Sequence, residues 1–220
     1  MIKFDVITVF PEIFKGFVSE SLLARGQKKK IIKVNLHNLR KWTTDKHKTV
    51  DDKPYGGGPG MVLKIEPIFK AVKNIKLKVK SKKTKTILFS PRGKEFMQEM
   101  AKKWAKLDQL IFICGRYEGV DERVADHIAD EVISVGGYVL NGGEVAAMAV
   151  IEAVSRMIPG FIAKKESAQK VDHAQYTRPE IFRARLAKGG STGKINKLIV
   201  PKVLLSGDHK KIEEWRRKNS

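Results

Sequence analysis

Cysteine is almost absent from this sequence of 220 residues, and long apolar segments are absent altogether. The one cysteine, Cys114, cannot form an internal disulfide, and its apolar surroundings are typical of a small buried residue rather than a nucleophile. No apolar run approaches the roughly 20 residues that a membrane-spanning helix needs. Lys3 and Asp5 interrupt what would be the apolar region of a signal peptide. These absences predict a soluble, unprocessed protein of the cytoplasm, with no membrane contact.

Acidic residues are few relative to basic ones, with 24 Asp and Glu against 44 Lys and Arg and a formal net charge of +20. Such an excess indicates a polyanionic partner, of which nucleic acid is the first candidate. The alternative is that many of the lysines are only solvated surface. The charge balance favours the partner.

Two common phosphate-binding motifs are also missing. No Gly-x-Gly-x-x-Gly follows the first predicted strand, which disfavours a Rossmann-type dinucleotide site. The glycine-rich run at 55–60 lacks the Lys-Ser/Thr pair that completes a P-loop. The sequence therefore disfavours both a dinucleotide-dependent enzyme and a nucleoside triphosphatase.

Strand and helix patterns alternate along most of the chain. Strand patterns cover residues 2–10, 31–36, 86–89, 110–114 and 131–135, and helical periodicity covers 67–75, 94–107, 121–129 and 145–158. This alternation predicts an α/β domain with a mostly parallel sheet. The composition becomes polar and aperiodic after residue 160, so we expect a domain at 1–162, a linker at 163–178 and a small helical domain at 179–220.

Glycine interrupts the chain after two of the predicted strands. The pairs Gly136-Gly137 and Gly142-Gly143 enclose a short apolar run, and the string CGRYEGVDER occupies 114–123. A backbone without side chains can approach a ligand closely. Because parallel strands end at one edge of the sheet, these two segments predict one shared cleft.

Three motifs occur in an order that identifies a family. They are DDKPYGGGPGM at 51–61, CGRYEGVDER at 114–123 and GGYVLNGGEVAAM at 136–148. With them the chain resembles the bacterial tRNA (guanine-N1)-methyltransferases, which are SPOUT methyltransferases, over nearly its whole length. The resemblance implies a deep trefoil-knotted α/β domain with a parallel sheet, a small C-terminal helical domain, and a homodimer with its active site at the subunit interface. It also implies S-adenosylmethionine as methyl donor, tRNA as partner, and a requirement for Mg²⁺.

The resemblance assigns the methyl donor to the knot. The residues that it implies are Leu88, Ser90, Pro91, Gly115, Tyr117, Glu118, Val135, Gly136, Gly137, Tyr138, Val139, Leu140, Gly142 and Gly143. The assignment agrees with the chemistry, since glycines expose amides and carbonyls while Tyr138 and Leu140 supply an apolar wall.

Methylation of guanine N1 needs a base for the N1 proton and a group that stabilises charge on O6. By resemblance, Arg156 stabilises O6. The linker is shorter than in the family, and this leaves three candidates for the base. Asp172 is preferred, Glu166 is the alternative and His173 is the third candidate. We expect the linker to close over the bound nucleotide and exclude water, which would raise the pKa of the base.

The predicted reaction is methylation at N1 of guanine 37 of tRNA, beside the anticodon. The alternative is a noncatalytic RNA-binding protein that keeps the knotted fold but lost catalysis with its shortened linker. The segment 183–191 is longer and more basic than the family's usual connection, and it favours RNA contact in either case.

Overall fold

A computed structural model describes residues 1–78, 81, 83–163, 173–185 and 195–219. The chain forms two compact units, Met1–Ala168 and Gln169–Ser220. The division falls within the segment 163–178, which the sequence predicts to be a linker.

The first unit is built on a five-stranded parallel sheet in the order β2-β1-β6-β5-β7. Its strands are β1 (Ile2–Thr8), β2 (Ile32–Asn38), β5 (Thr84–Glu95), β6 (Gln109–Ile113) and β7 (Glu131–Ser134), and the short strands β3 (Asp51–Asp52) and β4 (Val62–Leu63) form a separate antiparallel pair. All five strands of this sheet coincide with predicted ones, so the prediction of a parallel α/β domain is confirmed.

Helices cover both faces of the sheet. They are α1 (Lys15–Ser19), α2 (Ser21–Lys28), α3 (Ile65–Leu77), α4 (Gln98–Trp104), α5 (Arg123–His127) and α6 (Gly143–Arg156). One core cluster joins Phe4 and Phe112 to α4 and α6, and the other joins Ile7 and Ile111 to α3 and α5. Every residue of β6 is buried, as expected of a central parallel strand. Replacing Phe112 with alanine would cost about 3–5 kcal/mol of stability.

Strand β5 differs from the sequence prediction. It continues to Glu95 through an irregularity between Phe89 and Lys94, so the helix predicted over 94–107 begins only at Gln98. A Cβ on Gly93 would lie 2.5 Å from the backbone nitrogen of Ile133. Pairing with β7 at this close approach therefore overrides the helical periodicity of residues 94–97.

The second unit contains a β-hairpin that the sequence reading missed. Strand β8 (Ile181–Arg185) pairs antiparallel with β9 (Ile195–Ile199), and helices α7 (Lys202–Leu205) and α8 (His209–Lys218) follow. Tyr176 meets Trp215 edge to face at 6.0 Å between ring centroids. The expected helical domain is thus a hairpin followed by two helices within the described ranges. No helix among the residues described here is long and apolar enough to cross a membrane.

Candidate functional site

A cleft lies where β5, β6 and β7 end, at the carboxyl edge of the sheet. It has a volume of about 630 Å³ and is lined by three segments within 88–92, 115–126 and 132–146. The ends of neighbouring parallel strands are the usual binding position in open α/β sheets. The volume is within the range of small-molecule and cofactor sites.

Most residues predicted to bind the methyl donor line this cleft. They are Leu88, Ser90, Pro91, Gly115, Tyr117, Glu118, Val135, Tyr138, Val139, Leu140, Gly142 and Gly143. Gly136 and Gly137 do not line it, although both lie in the same loop. The structure therefore brings together the glycine-broken strand ends that the sequence predicts to share one cleft.

Close backbone packing joins the two main loops of the cleft, which are the loop after β6 (114–122) and the loop after β7 (135–142). The amide of Gly143 donates a hydrogen bond to the carbonyl of Gly115, with 3.0 Å between nitrogen and oxygen. A Cβ on Gly143 would lie 2.8 Å from the Cα of Cys114, so this position has no room for a side chain. Glycine is required here by proximity rather than by an unusual backbone angle.

The glycine-rich segment 56–60 borders the cleft at Glu118. The Glu118 amide donates to the carbonyl of Met61 at 3.0 Å, and the Leu63 amide donates to the carbonyl of Gly119 at 3.0 Å. Gly60 has a φ of +77°, and a Cβ there would lie 2.6 Å from Cγ of Glu118. The motif at 51–61 is therefore continuous with the cleft rim, which the sequence alone did not indicate.

Charged side chains around the cleft form ion pairs. Arg92 pairs with Glu122 at 2.6 Å, and Arg123 pairs with Asp121 at 2.6 Å. The hydrogen bonds from Arg123 hold the pKa of Asp121 below its usual value. Cys114 is buried, and burial raises the pKa of its thiol well above the usual value. The prediction that Cys114 is a small buried residue is therefore confirmed.

Sequence reasoning missed one buried charge next to the cleft. The carboxylate of Glu144 is only 1% exposed, accepts a hydrogen bond from the Thr8 hydroxyl at 2.7 Å, and pairs with Nε of Arg116 at 3.0 Å. Arg116 lines the cleft and lies inside the recognised string at 114–123. Nothing in the sequence linked it to Thr8, which is more than a hundred residues away.

Of the predicted catalytic residues that the structure describes, Arg156 does not line this cleft. Arg156 is exposed at the far end of α6, whose 14 residues separate it from Gly143 by about 20 Å. Asp172 and Glu166 lie outside the described residues. His173 is described, and its Nδ1 lies 3.1 Å from the carbonyl oxygen of Ala174. Among the described residues, no group of three or more His, Cys, Asp or Glu side chains could hold a metal ion.

Comparison with known proteins identifies the family. The profile of the tRNA (guanine-1)-methyltransferase TrmD family matches residues 2–220. A tRNA (guanine-N(1)-)-methyltransferase from Carboxydothermus hydrogenoformans is 46% identical over 99% of this chain and 82% of its own length. Those of Thermomicrobium roseum and Dehalococcoides mccartyi are 47% and 45% identical, over 98% and 99% of this chain and 77% and 85% of their own lengths. The ordered motifs, the cleft and this full-length similarity lead to one conclusion: the chain belongs to the tRNA (guanine-1)-methyltransferase family.

Proposed function

We propose that this protein transfers the methyl group of S-adenosylmethionine to N1 of guanine 37 in tRNA, next to the anticodon. The observation that carries the proposal is the cleft at the carboxyl edge of the sheet, in a chain that matches the family over its whole length. Because tRNA is the substrate, the enzyme works in the cytoplasm.

The cleft suits an adenosyl ligand. Gly115, Gly142 and Gly143 leave backbone groups close to the cavity, where they can hydrogen-bond the edges of a base or an amino-acid moiety. Leu88, Tyr138 and Leu140 supply apolar contacts for the adenine ring. When bound, S-adenosylmethionine supplies an electrophilic methyl group on a sulfonium. We propose that the loops lining this cleft form the trefoil knot of the family.

The chemistry also needs a base for the N1 proton and a group that stabilises charge on O6. As guanine N1 attacks the methyl carbon, its proton passes to a carboxylate, the carbon–sulfur bond breaks, and the sulfur becomes a neutral thioether. Asp172 is the preferred base and Glu166 the alternative. Arg156 donates hydrogen bonds to O6, where negative charge develops during deprotonation.

A homodimer would resolve the separation of Arg156 from the cleft. About 20 Å of helix lies between them in one chain, so the arginine of a second copy is the simpler source. The apolar side chains of Phe10, Ile13 and Val145 are exposed near the carboxyl edge of the sheet, and they would be covered in such a dimer. Magnesium has no support from the described residues and remains an expectation from the resemblance.

Mixed dimers test this arrangement. A chain carrying Arg156→Ala, mixed with a chain carrying a blocked cleft, should regain activity at one of the two sites. Each variant alone should be inactive. Mixtures that stay as inactive as the separate variants would show that each active site uses one chain only.

Methyl transfer itself can be tested directly. The purified protein is incubated with S-adenosylmethionine tritiated on its methyl group and with matched tRNA transcripts that carry guanine or adenine at position 37. Label on the guanine transcript alone, with a reverse-transcription stop at 37, is the expected result. No transfer, with binding of both ligands intact, would favour the noncatalytic RNA-binding protein.

A further inference from the structure

Glu144 is a buried carboxylate in α6 that does not line the cleft but contacts a residue that does. Its Oε1 accepts a hydrogen bond from the Thr8 hydroxyl at 2.7 Å, and its Oε2 accepts one from Nε of Arg116 at 3.0 Å. The Thr8 hydroxyl oxygen in turn accepts from the amide of Phe10 at 2.9 Å. We call these three side chains the Thr8–Glu144–Arg116 network. It connects the end of β1, the loop after β6 and the start of α6.

Arg116 is held on several sides. Its guanidinium carbon lies 4.9 Å from the centre of the Phe10 ring, and Nη1 lies 3.5 Å from the carbonyl oxygen of Asn141. A Cβ on Gly142 would lie 2.5 Å from Nε of Arg116, so the glycine leaves space for the arginine. The backbones of Arg116 and Gly142 also form an isolated β-bridge. Arg116 is therefore the point at which the two main cleft loops are fixed to each other.

Because the ion pair between Arg116 and Glu144 is buried, losing either residue is costly. Glu144 is 1% exposed and the Arg116 side chain is 21% exposed, so the pair is largely removed from water. A buried carboxylate that loses its cation is strongly unfavourable, because neither water nor another charge replaces the lost partner. The hydrogen bond from Thr8 satisfies the second carboxylate oxygen and fixes its orientation.

We infer that the Thr8–Glu144–Arg116 network positions the two cleft loops and thereby sets the affinity for the methyl donor. Thr8 and Glu144 are positioning residues, because they act on the ligand through Arg116 and the loops that it joins. This inference rests on the proposed function, in which the cleft holds S-adenosylmethionine. The network should influence binding of the methyl donor more than binding of tRNA.

The test measures binding of S-adenosylhomocysteine, the demethylated product of the donor, by calorimetry in the full-length protein. We expect Glu144→Ala and Arg116→Met each to weaken binding at least tenfold. Glu144→Gln keeps the shape of the side chain and one of its two acceptor oxygens, so it should lose less than Glu144→Ala. Thr8→Val should weaken binding about threefold. In steady-state assays, KM for S-adenosylmethionine should rise while KM for tRNA changes less than twofold.

Asp5→Asn is the matched control. Asp5, in β1, is a buried carboxylate like Glu144, and it also has several hydrogen-bond partners. These partners, His37, Asn35 and Gln109, do not line the cleft. This variant should lower the melting temperature without weakening ligand binding. If it weakens ligand binding as much as Glu144→Ala does, the network acts only through overall stability and the inference is wrong.

A double variant separates positioning from packing. Arg116→Met leaves the Glu144 carboxylate buried without its cation, whereas Arg116→Met combined with Glu144→Gln removes both charges. The double variant should bind better than Arg116→Met alone. Additive losses would contradict a charge-based network. Wild-type protein that fails to bind the donor would overturn the proposed function, whereas normal binding by folded Arg116→Met and Thr8→Val would overturn only this inference.

Discussion

The two edges of the central sheet use charge in different ways. At the carboxyl edge, Arg92, Arg116 and Arg123 each have a carboxylate within 3.0 Å. At the amino edge, exposed lysines occupy the last turns of helices and the segments that lead into the next strand: Lys28, Lys29, Lys30, Lys76, Lys78, Lys83, Lys102, Lys103 and Lys106. In the described structure, Lys76 alone of these nine has a carboxylate within 4 Å, Asp130 at 3.9 Å.

This difference separates the local effect of paired charges from the long-range effect of solvated ones. The largely buried pair of Arg116 and Glu144 fixes the positions of backbone loops, so changes to either residue should alter ligand affinity steeply. Unpaired, solvated charges act at long range and are screened by salt, so changes at the amino edge should alter association with a polyanion gradually. Strands β1, β2 and β6 span roughly 17–23 Å between the edges, which keeps the two effects apart.

Substitution of Arg156 should have the largest effect, and it tests this comparison because α6 carries the residue away from the cleft toward the amino edge. Arg156→Ala should lower kcat about 100- to 1,000-fold if it stabilises the charge on O6. Binding of S-adenosylmethionine should stay within twofold of wild type, since Arg156 is proposed to contact O6 of guanine and not the methyl donor. Single-turnover kinetics and calorimetry measure the two quantities. A kcat near that of wild type would remove Arg156 from the catalytic step.

Two glycines of the carboxyl edge should respond very differently to the same substitution. Gly143→Ala would place its Cβ 2.8 Å from the Cα of Cys114, so the loops must separate. We expect at least tenfold weaker binding of S-adenosylhomocysteine and a stability loss of about 1–3 kcal/mol. Gly137→Ala is the control, because nothing lies within 4 Å of its Cβ. Equal effects at both positions would show that loop flexibility matters more than the close contact.

Neutralising lysines at the amino edge tests the other half of the comparison. Glutamine at Lys102, Lys103 and Lys106 should weaken tRNA binding several-fold at about 0.1 M salt, with a flatter dependence on salt concentration. Binding of S-adenosylhomocysteine should not change. The triple arginine variant keeps the charge and serves as control. If the glutamine variant binds tRNA as wild type does at every salt concentration, these lysines are only solvated surface.

Asp5 provides the smallest expected effect, confined to stability. Burial raises the pKa of its carboxyl, but hydrogen bonds from His37, Gln109 and Asn35 more than offset this, and the pKa lies below its usual value. The contribution of the ionised Asp5 carboxylate to stability is therefore present at pH values above the unfolded pKa. It is lost as the pH falls through the lower folded pKa. Asp5→Asn should cost about 1–3 kcal/mol at pH 7.

Unfolding in denaturant at several pH values measures this linkage. The difference in free energy of unfolding between wild type and Asp5→Asn should become smaller below about pH 4, where the aspartate of the unfolded chain becomes protonated. A gap that stays constant down to pH 2 would mean that the lost hydrogen-bond geometry, not the charge, accounts for the cost.

Sequence patterns predicted the parallel sheet because each strand is a short apolar run with turn residues at its ends. They also predicted which glycine-broken strand ends meet, since parallel strands end at a common edge. The extension of β5 to Glu95 escaped prediction because it depends on contact between Gly93 and the backbone of Ile133. The β8–β9 hairpin escaped because its strands are short and are separated by nine residues, three of them glycine. The domain boundaries and catalytic residues stay predictions.

By itself, the sequence determined the fold class, the family and most of the cleft lining, because these depend on local periodicity and on motifs whose order survives in one dimension. Only the tertiary structure decided which distant groups touch. Thr8 meets Glu144 across 136 positions of the chain, and α6 carries Arg156 about 20 Å from the cleft. Such contacts arise from how helices cross the sheet, and no local pattern of residue types encodes them.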